Sequence, residues 1–165
     1  MLLEGSCHCG AVRFSVNSHT PVPFMRCYCA VCRKTQGGGG YAINLAGEAD
    51  SLTVKGRRHL ATYRAREELV DGGAEADGLS PLRRHFCRKC GSALWCADPR
   101  WPDLVHPFAS AIDTPLPTPP ETVHIMLSVK PAWVAVPRGA RHDRFDHYPR
   151  ESIEDWHKDR GLWRE

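Results

Sequence analysis

Seven of the chain's eight cysteines fall into three tight groups, Cys7 with Cys9, Cys27 with Cys29 and Cys32, and Cys87 with Cys90. Cysteines one or two residues apart converge easily on a metal ion but form strained disulfides with each other. With 165 residues, the chain is long enough to bury one core of its own. It therefore has no need of the disulfide framework that holds small secreted chains together. The groups predict metal sites, and they fix three stretches of chain that the fold has to bring into register.

The cysteines sort into two sites. Gly91 follows Cys90, and a C-x-x-C-G turn is a zinc knuckle, because the glycine lets the backbone fold under sulfur and present its amides. Cys7 and Cys9 with Cys87 and Cys90 make a closed four-sulfur set of the structural kind. Such a site contributes on the order of 10 kcal/mol or more, coupled to folding. Cys27, Cys29 and Cys32 are then left as three ligands with an open fourth position, the mark of catalytic zinc. Alternatives stay open at this point. Cys96 or a histidine would close the second site, or the triplet would hold no metal. A ribbon of Cys29, Cys32, Cys87 and Cys90 would strand Cys7, Cys9 and Cys27. Cys96, next to Trp95 in a strand-like run, reads as a small core residue.

Beside the triplet lie Arg33, Lys34, Thr35 and Gln36, then four consecutive glycines, Gly37 to Gly40. Such a turn exposes amides and lets a ligand lie against the backbone. With Arg33, Lys34, Gly38 and Gly39 it forms a cradle for a carboxylate-bearing small molecule, or simply a flexible turn with solvated charges. His8, His59, His85, His106 and His124 are the candidate general bases, and no motif singles one out.

Strand patterns dominate the rest. "AVRFSV" alternates Val12, Phe14 and Val16 with Arg13 and Ser15, a half-buried strand. "YAINLAG", "LTVKG", "LATYRA", "SALWCA", "HIMLSV" and "AWVAV" follow at short intervals, with turns rich in Gly and Pro. Residues 67–81 are acidic and glycine-rich and predict a hairpin tip or insertion. Residues 113–121 hold four prolines and should run extended. One helix is predicted within "PRESIEDWHKDRGLW", with Ile153, Trp156 and Arg160 on one face and Gly161 as its stop.

The formal charge is +3. Seven thiolates around two Zn²⁺ bring it to about zero, so charge offers no argument for a nucleic-acid partner. The basic runs "GRRH" and "RRHFCRK" are the features that would serve one. No run approaches the roughly 18 apolar residues of a membrane span. The start, "MLLEGSCHCG", has an acidic residue and no basic segment, unlike a secretory leader. A soluble, cytoplasmic protein is expected.

The stretches "GSCHCGAVRF", "RCYCAVCRKTQG" and "HFCRKCGSALW", in that order, resemble the glutathione-dependent formaldehyde-activating enzyme family, which includes centromere protein V. "VHIMLSVKPAW" resembles that family's closing strand pair, and the likeness spans about residues 4–136. The resemblance implies a mainly β, Mss4-like zinc-binding fold in a single domain over 1–165, with an insertion at 67–81 and a C-terminal extension at 150–165. It implies Cys7, Cys9, Cys87 and Cys90 as structural zinc ligands and Cys27, Cys29 and Cys32 as ligands of a second, catalytic zinc. The implied reaction joins formaldehyde to glutathione as S-hydroxymethylglutathione, a carbon–sulfur lyase activity. Two other roles compete with it: a non-catalytic two-zinc module that binds protein or nucleic acid, and a redox role through Cys96. The redox role requires an exposed thiol of lowered pKa.

Overall fold

The computed structural model describes residues 1–36, 38–66 and 75–165. Gly37 of the glycine run and residues 67–74 of the expected insertion lie outside the described residues. The described chain is mainly β. Among the described residues no helix is long and apolar enough to cross a membrane.

Three small sheets carry the structure. In the first, β1 (Leu2–Ser6) pairs antiparallel with β2 (Arg13–Asn17), which pairs in turn with β6 (Thr53–Lys55). The alternation in β2 decides its orientation, with Phe14 and Val16 buried and Arg13 and Asn17 exposed. The second sheet has the order β5 (Gly47–Glu48), β10 (Leu104–Pro107), β9 (Ala93–Ala97), β8 (Leu79–Cys87), β7 (Leu60–Arg66), antiparallel throughout. One core lies between these sheets, built on Leu3, Val12, Phe14, Val16, Leu94, Trp95 and Phe108.

The third sheet has the order β12 (His142–Arg144), β11 (Thr122–Ile125), β3 (Met25–Cys27), β4 (Ala42–Ile43). Here β11 runs parallel to both β12 and β3. Parallel neighbours need a long crossover, and the whole second sheet lies within the one joining β3 to β11. Helix α1 (Ala30–Gln36) leaves β3 directly, and α2 (Ile153–Asp159) packs a second core with Val22, Phe24, Val123 and Ile125. Ser152 caps α2, its hydroxyl accepting from the Asp155 amide at 3.0 Å. Gly161, at φ 63°, supplies the left-handed residue that follows the helix. Trp156 stacks on Phe24 with centroids 3.7 Å apart. His157 is held in one tautomer: Nδ1–H donates to the Ile153 carbonyl at 2.8 Å and Nε2 accepts from the Val22 amide at 3.1 Å.

The expected closing strand pair is not formed. "HIMLSV" ends as a strand at Ile125, because Met126 takes the left-handed conformation (φ 62°) and a 3₁₀ turn covers Leu127–Val129. "AWVAV" is irregular. Pro131 and Pro137 flank it, and neither has an amide to give to a ladder. Val134 packs over Gly40 instead, so closely that a Cβ at Gly40 would come 2.3 Å from Val134 Cγ2.

Candidate metal centres and the cleft

The two ends of the first pair of sheets meet at one cluster. Cys7 and Cys9 sit in the turn after β1, Cys87 ends β8, and Cys90 lies in the turn from β8 to β9. The two turns have the same construction. Gly10 (φ 70°) donates to the Cys7 carbonyl at 2.9 Å, and Gly91 (φ 75°) to the Cys87 carbonyl at 2.8 Å. The left-handed glycine in each is what lets the chain curl under its sulfurs. The Val12 amide donates to Cys7 Sγ at 3.2 Å. Cys7 Sγ lies 3.6 Å from Cys9 Sγ, and Cys9 Sγ 3.8 Å from Cys87 Sγ. A tetrahedral zinc with ~2.3 Å bonds sets its sulfurs about 3.8 Å apart, so this spacing fits the ion. The four ligand atoms lie within 4.8 Å of one another. Hydrogen bonds from Ser92 pull Cys90 down to about 5. The Ala11 amide works to lower Cys9, but desolvation and the neighbouring thiols carry it up to about 11. Two sulfurs so divided need a shared cation before both are thiolates.

The second cluster forms where β3 runs into α1. Cys27 ends the strand, Cys32 lies in the helix, and the Cys32 amide donates to Cys29 Sγ at 3.3 Å. The three sulfurs converge within 4.8 Å. Cys27 and Cys32 are buried, and Cys29 is half-exposed. Contacts from Cys27 and Cys32 lower Cys29 to about 2, while the same Cys29 contact pushes Cys27 up. One thiolate is accommodated here unaided, and the second and third call for a positive ion.

That cluster opens on a cleft of about 760 Å³. Its walls come from all parts of the chain: Cys96 of β9 and Asp98 just after it, Ile125 at the end of β11 with Met126, and residues 148–153 leading into α2. Cys96, Asp98 and Arg84 share a face, since β8 and β9 pair Arg84 with Cys96. Arg84 is 7% exposed. One of its nitrogens, Nη2, lies 3.7 Å from Cys32 Sγ, and the other, Nη1, is enclosed with no hydrogen-bond partner. Asp98 is taken up by Arg100, which reaches both its oxygens at 2.9 and 2.6 Å.

Arg33, Lys34, Gly38 and Gly39, the expected cradle, do not line the cleft. Lys34, Gly38 and Gly39 are exposed on the far end of α1, and Gly40 is shut in by Val134. The arginines that do line it are Arg84, Arg100 and Arg150, which sequence reading passed over. The period-2 alternation of β8 was the available signal for Arg84, because Arg83 points to solvent and its neighbour must point in. The same alternation breaks up "RRHFCRK" as a continuous basic surface.

Of the five candidate histidines only His106 lines the cleft. Its Nδ1–H donates to the Leu45 carbonyl at 3.0 Å, which leaves Nε2 as the acceptor, and burial lowers its pKa. His124 is fully buried between Tyr28 Oη at 2.8 Å and His142 at 3.3 Å. Cys96 is 2% exposed and burial pushes its thiol up to about 12, the opposite of what a redox role requires.

Residues 2–129 match the sequence model of a family described as glutathione-dependent formaldehyde-activating enzyme. A Halomonas elongata protein, named provisionally as an enzyme of that description, is 60% identical over 163 residues, covering 98% of each chain. A Rhodobacter sphaeroides protein of known crystal structure superposes with a TM-score of 0.51 at 23% identity, covering 69% of this chain and 91% of that one. That last likeness concerns the fold alone.

Proposed function

The chain belongs to the glutathione-dependent formaldehyde-activating enzyme family, and from that premise we propose that its cleft joins a small thiol, glutathione first among them, to formaldehyde. The product is the S-hydroxymethyl adduct, and the reaction is of the carbon–sulfur lyase class. One observation carries the reading: three cysteine sulfurs within 4.8 Å of one another face a 760 Å³ cleft through the half-exposed Cys29. Cys27, Cys29 and Cys32 would hold a catalytic zinc, and Cys7, Cys9, Cys87 and Cys90 a structural one. An ion in the first position supplies Lewis acidity and favours the ionised form of a nearby thiol.

The chain's own residues do the rest. Neutral His106 takes the thiol proton at Nε2. The sulfur lone pair attacks the aldehyde carbon, the C=O π pair moves to oxygen, and His106 returns the proton there, so nothing else is consumed. Arg150, with Arg100 behind its Asp98 pair, holds the carboxylates of a peptide thiol at the cleft wall. Residues 148–153 exclude water on that side. We read the chain as one Mss4-like domain over 1–165, with an insertion within 67–81, of which Leu79–Pro81 belong to β8, and an extension at 150–165 whose first residues, 150–153, line the cleft. A cytoplasmic setting suits cysteines that must stay reduced.

The test is a titration of glutathione into the zinc-loaded protein by calorimetry, followed by ¹³C-formaldehyde adduct formation by NMR. We expect saturable binding and faster approach to the adduct than in buffer. A protein that does neither loses this substrate.

A further inference from the structure

We infer that Arg84 is the counter-charge of the three-cysteine cluster, a positioning residue that sets how tightly the cluster holds its cation. This rests on the reading of Cys27, Cys29 and Cys32 as metal ligands, but not on the identity of the substrate.

A guanidinium is always charged and is strongly penalised when buried without an anion. Arg84 is 93% buried by its 7% exposure. The anions it might pair with can be checked in turn. Asp98, on the same face, is engaged by Arg100 through both oxygens. Cys96 is its cross-strand partner and is a neutral thiol in the core. The cleft also holds Glu151, whose Oε1 accepts from Arg160 at 2.9 Å. What remains is Cys32 Sγ at 3.7 Å from Nη2 and the sulfurs that converge with it. Three thiolates around a divalent ion carry one net negative charge, and one guanidinium cancels it. Arg84 therefore offsets the net charge of the loaded cluster. Its unpartnered Nη1 is the remainder of that match, a donor enclosed beside the sulfurs.

The coupling depends on loading in a way that ordinary packing does not. Removing the charge should weaken the loaded state, in which the guanidinium lies against the metal-bound sulfurs, more than the unloaded one. A side chain that only fills space would lower the stability of both equally.

The experiment compares wild type, Arg84→Met and Arg84→Lys. Zinc is withdrawn from the two-zinc protein by graded chelator, and each protein is melted with two zincs and with one. For Arg84→Met we expect affinity at the second zinc to fall about 10- to 100-fold, as for other residues that support metal ligands, with the first zinc unchanged. Arg84→Lys keeps the charge and should recover most of that loss. The methionine variant should lose more melting temperature against wild type with two zincs than with one. Unchanged zinc affinity, or equal losses of melting temperature in both forms, would overturn the inference. If Arg84→Met does not fold, Arg84→Gln against Arg84→Lys decides it, since only charge separates their expected affinities. Wild type that shows this zinc coupling but no thiol chemistry would sink the proposed reaction and leave Arg84 in its role.

Discussion

The two cysteine clusters invert the usual association of burial with structure and exposure with reactivity. The four-sulfur cluster lies at the surface, with Cys9 and Cys90 exposed, while the three-sulfur cluster is mostly enclosed. Both use short C-x-C or C-x-x-C spacings, and both receive backbone amides at sulfur. What differs is the surroundings. The four-sulfur cluster is complete and is ringed by exposed turns. The three-sulfur cluster gathers only Cys27, Cys29 and Cys32, sits under a cleft and faces the buried Arg84. On the proposed reading, the three-sulfur site is made reactive by an open position and a shaped cavity, not by proximity to solvent.

The largest test of that contrast is Cys87→Ser. Loss of a closed ligand should cost on the order of 10 kcal/mol of metal-coupled stability, and circular dichroism should show an unfolded or aggregated chain. Cys29→Ser should do the reverse: the chain folds, retains one zinc by elemental analysis and has no adduct activity. A folded Cys87→Ser protein, or an unfolded Cys29→Ser one, would exchange the roles of the clusters. Next comes His106→Gln, for which we expect adduct formation to slow by about 10²- to 10⁴-fold with both zincs retained. A zinc loss there would make His106 the missing fourth ligand instead of the base.

A smaller effect concerns pH. Burial holds His124 down to about 4, against an unfolded value near 6.5. The unfolded chain then gains a proton the folded chain refuses. Stability from this group is full above about pH 6.5 and falls as pH drops towards 4, by on the order of 3 kcal/mol. Burial lowers His106 and His157 as well, so they act in the same direction. Urea melts at pH 7 and 5 measure the slope, which His124→Gln should flatten. The smallest effect is expected from Arg33→Gln with Lys34→Gln. Outside the cleft, they should change glutathione affinity by less than about threefold, on the scale of a solvent-screened charge contact. A larger loss would restore the helix end as the thiol cradle.

Which cysteines meet was legible, because C-x-C, C-x-x-C and the following glycine are local chemistry that needs no tertiary knowledge. The strands "AVRFSV", "LATYRA" and "SALWCA" were legible for the same reason, through alternation, and so was α2, through Ile153, Trp156 and Gly161. The lining of the cleft was not. It depends on which way α1 leaves β3 and on where residues 148–153 return, and both are tertiary choices. Arg33 and Lys34 are next to the ligands in sequence but turn away along the helix. Arg84 is 52 residues from Cys32 and touches it. The false strand pair failed at Met126, whose left-handed backbone gives no sign in a run of apolar residues.

The clusters also differ in when they can exist. Cys29 and Cys32 are three positions apart, whereas Cys9 meets Cys87 across 78. Loop-closure entropy rises with that separation, and non-local contacts form late. As the chain leaves the ribosome, the triplet is assembled from local residues before Cys87 and Cys90, the partners of Cys7 and Cys9, have been synthesised. On the proposed reading, the catalytic ion is therefore bound first and the ion that secures the fold arrives last.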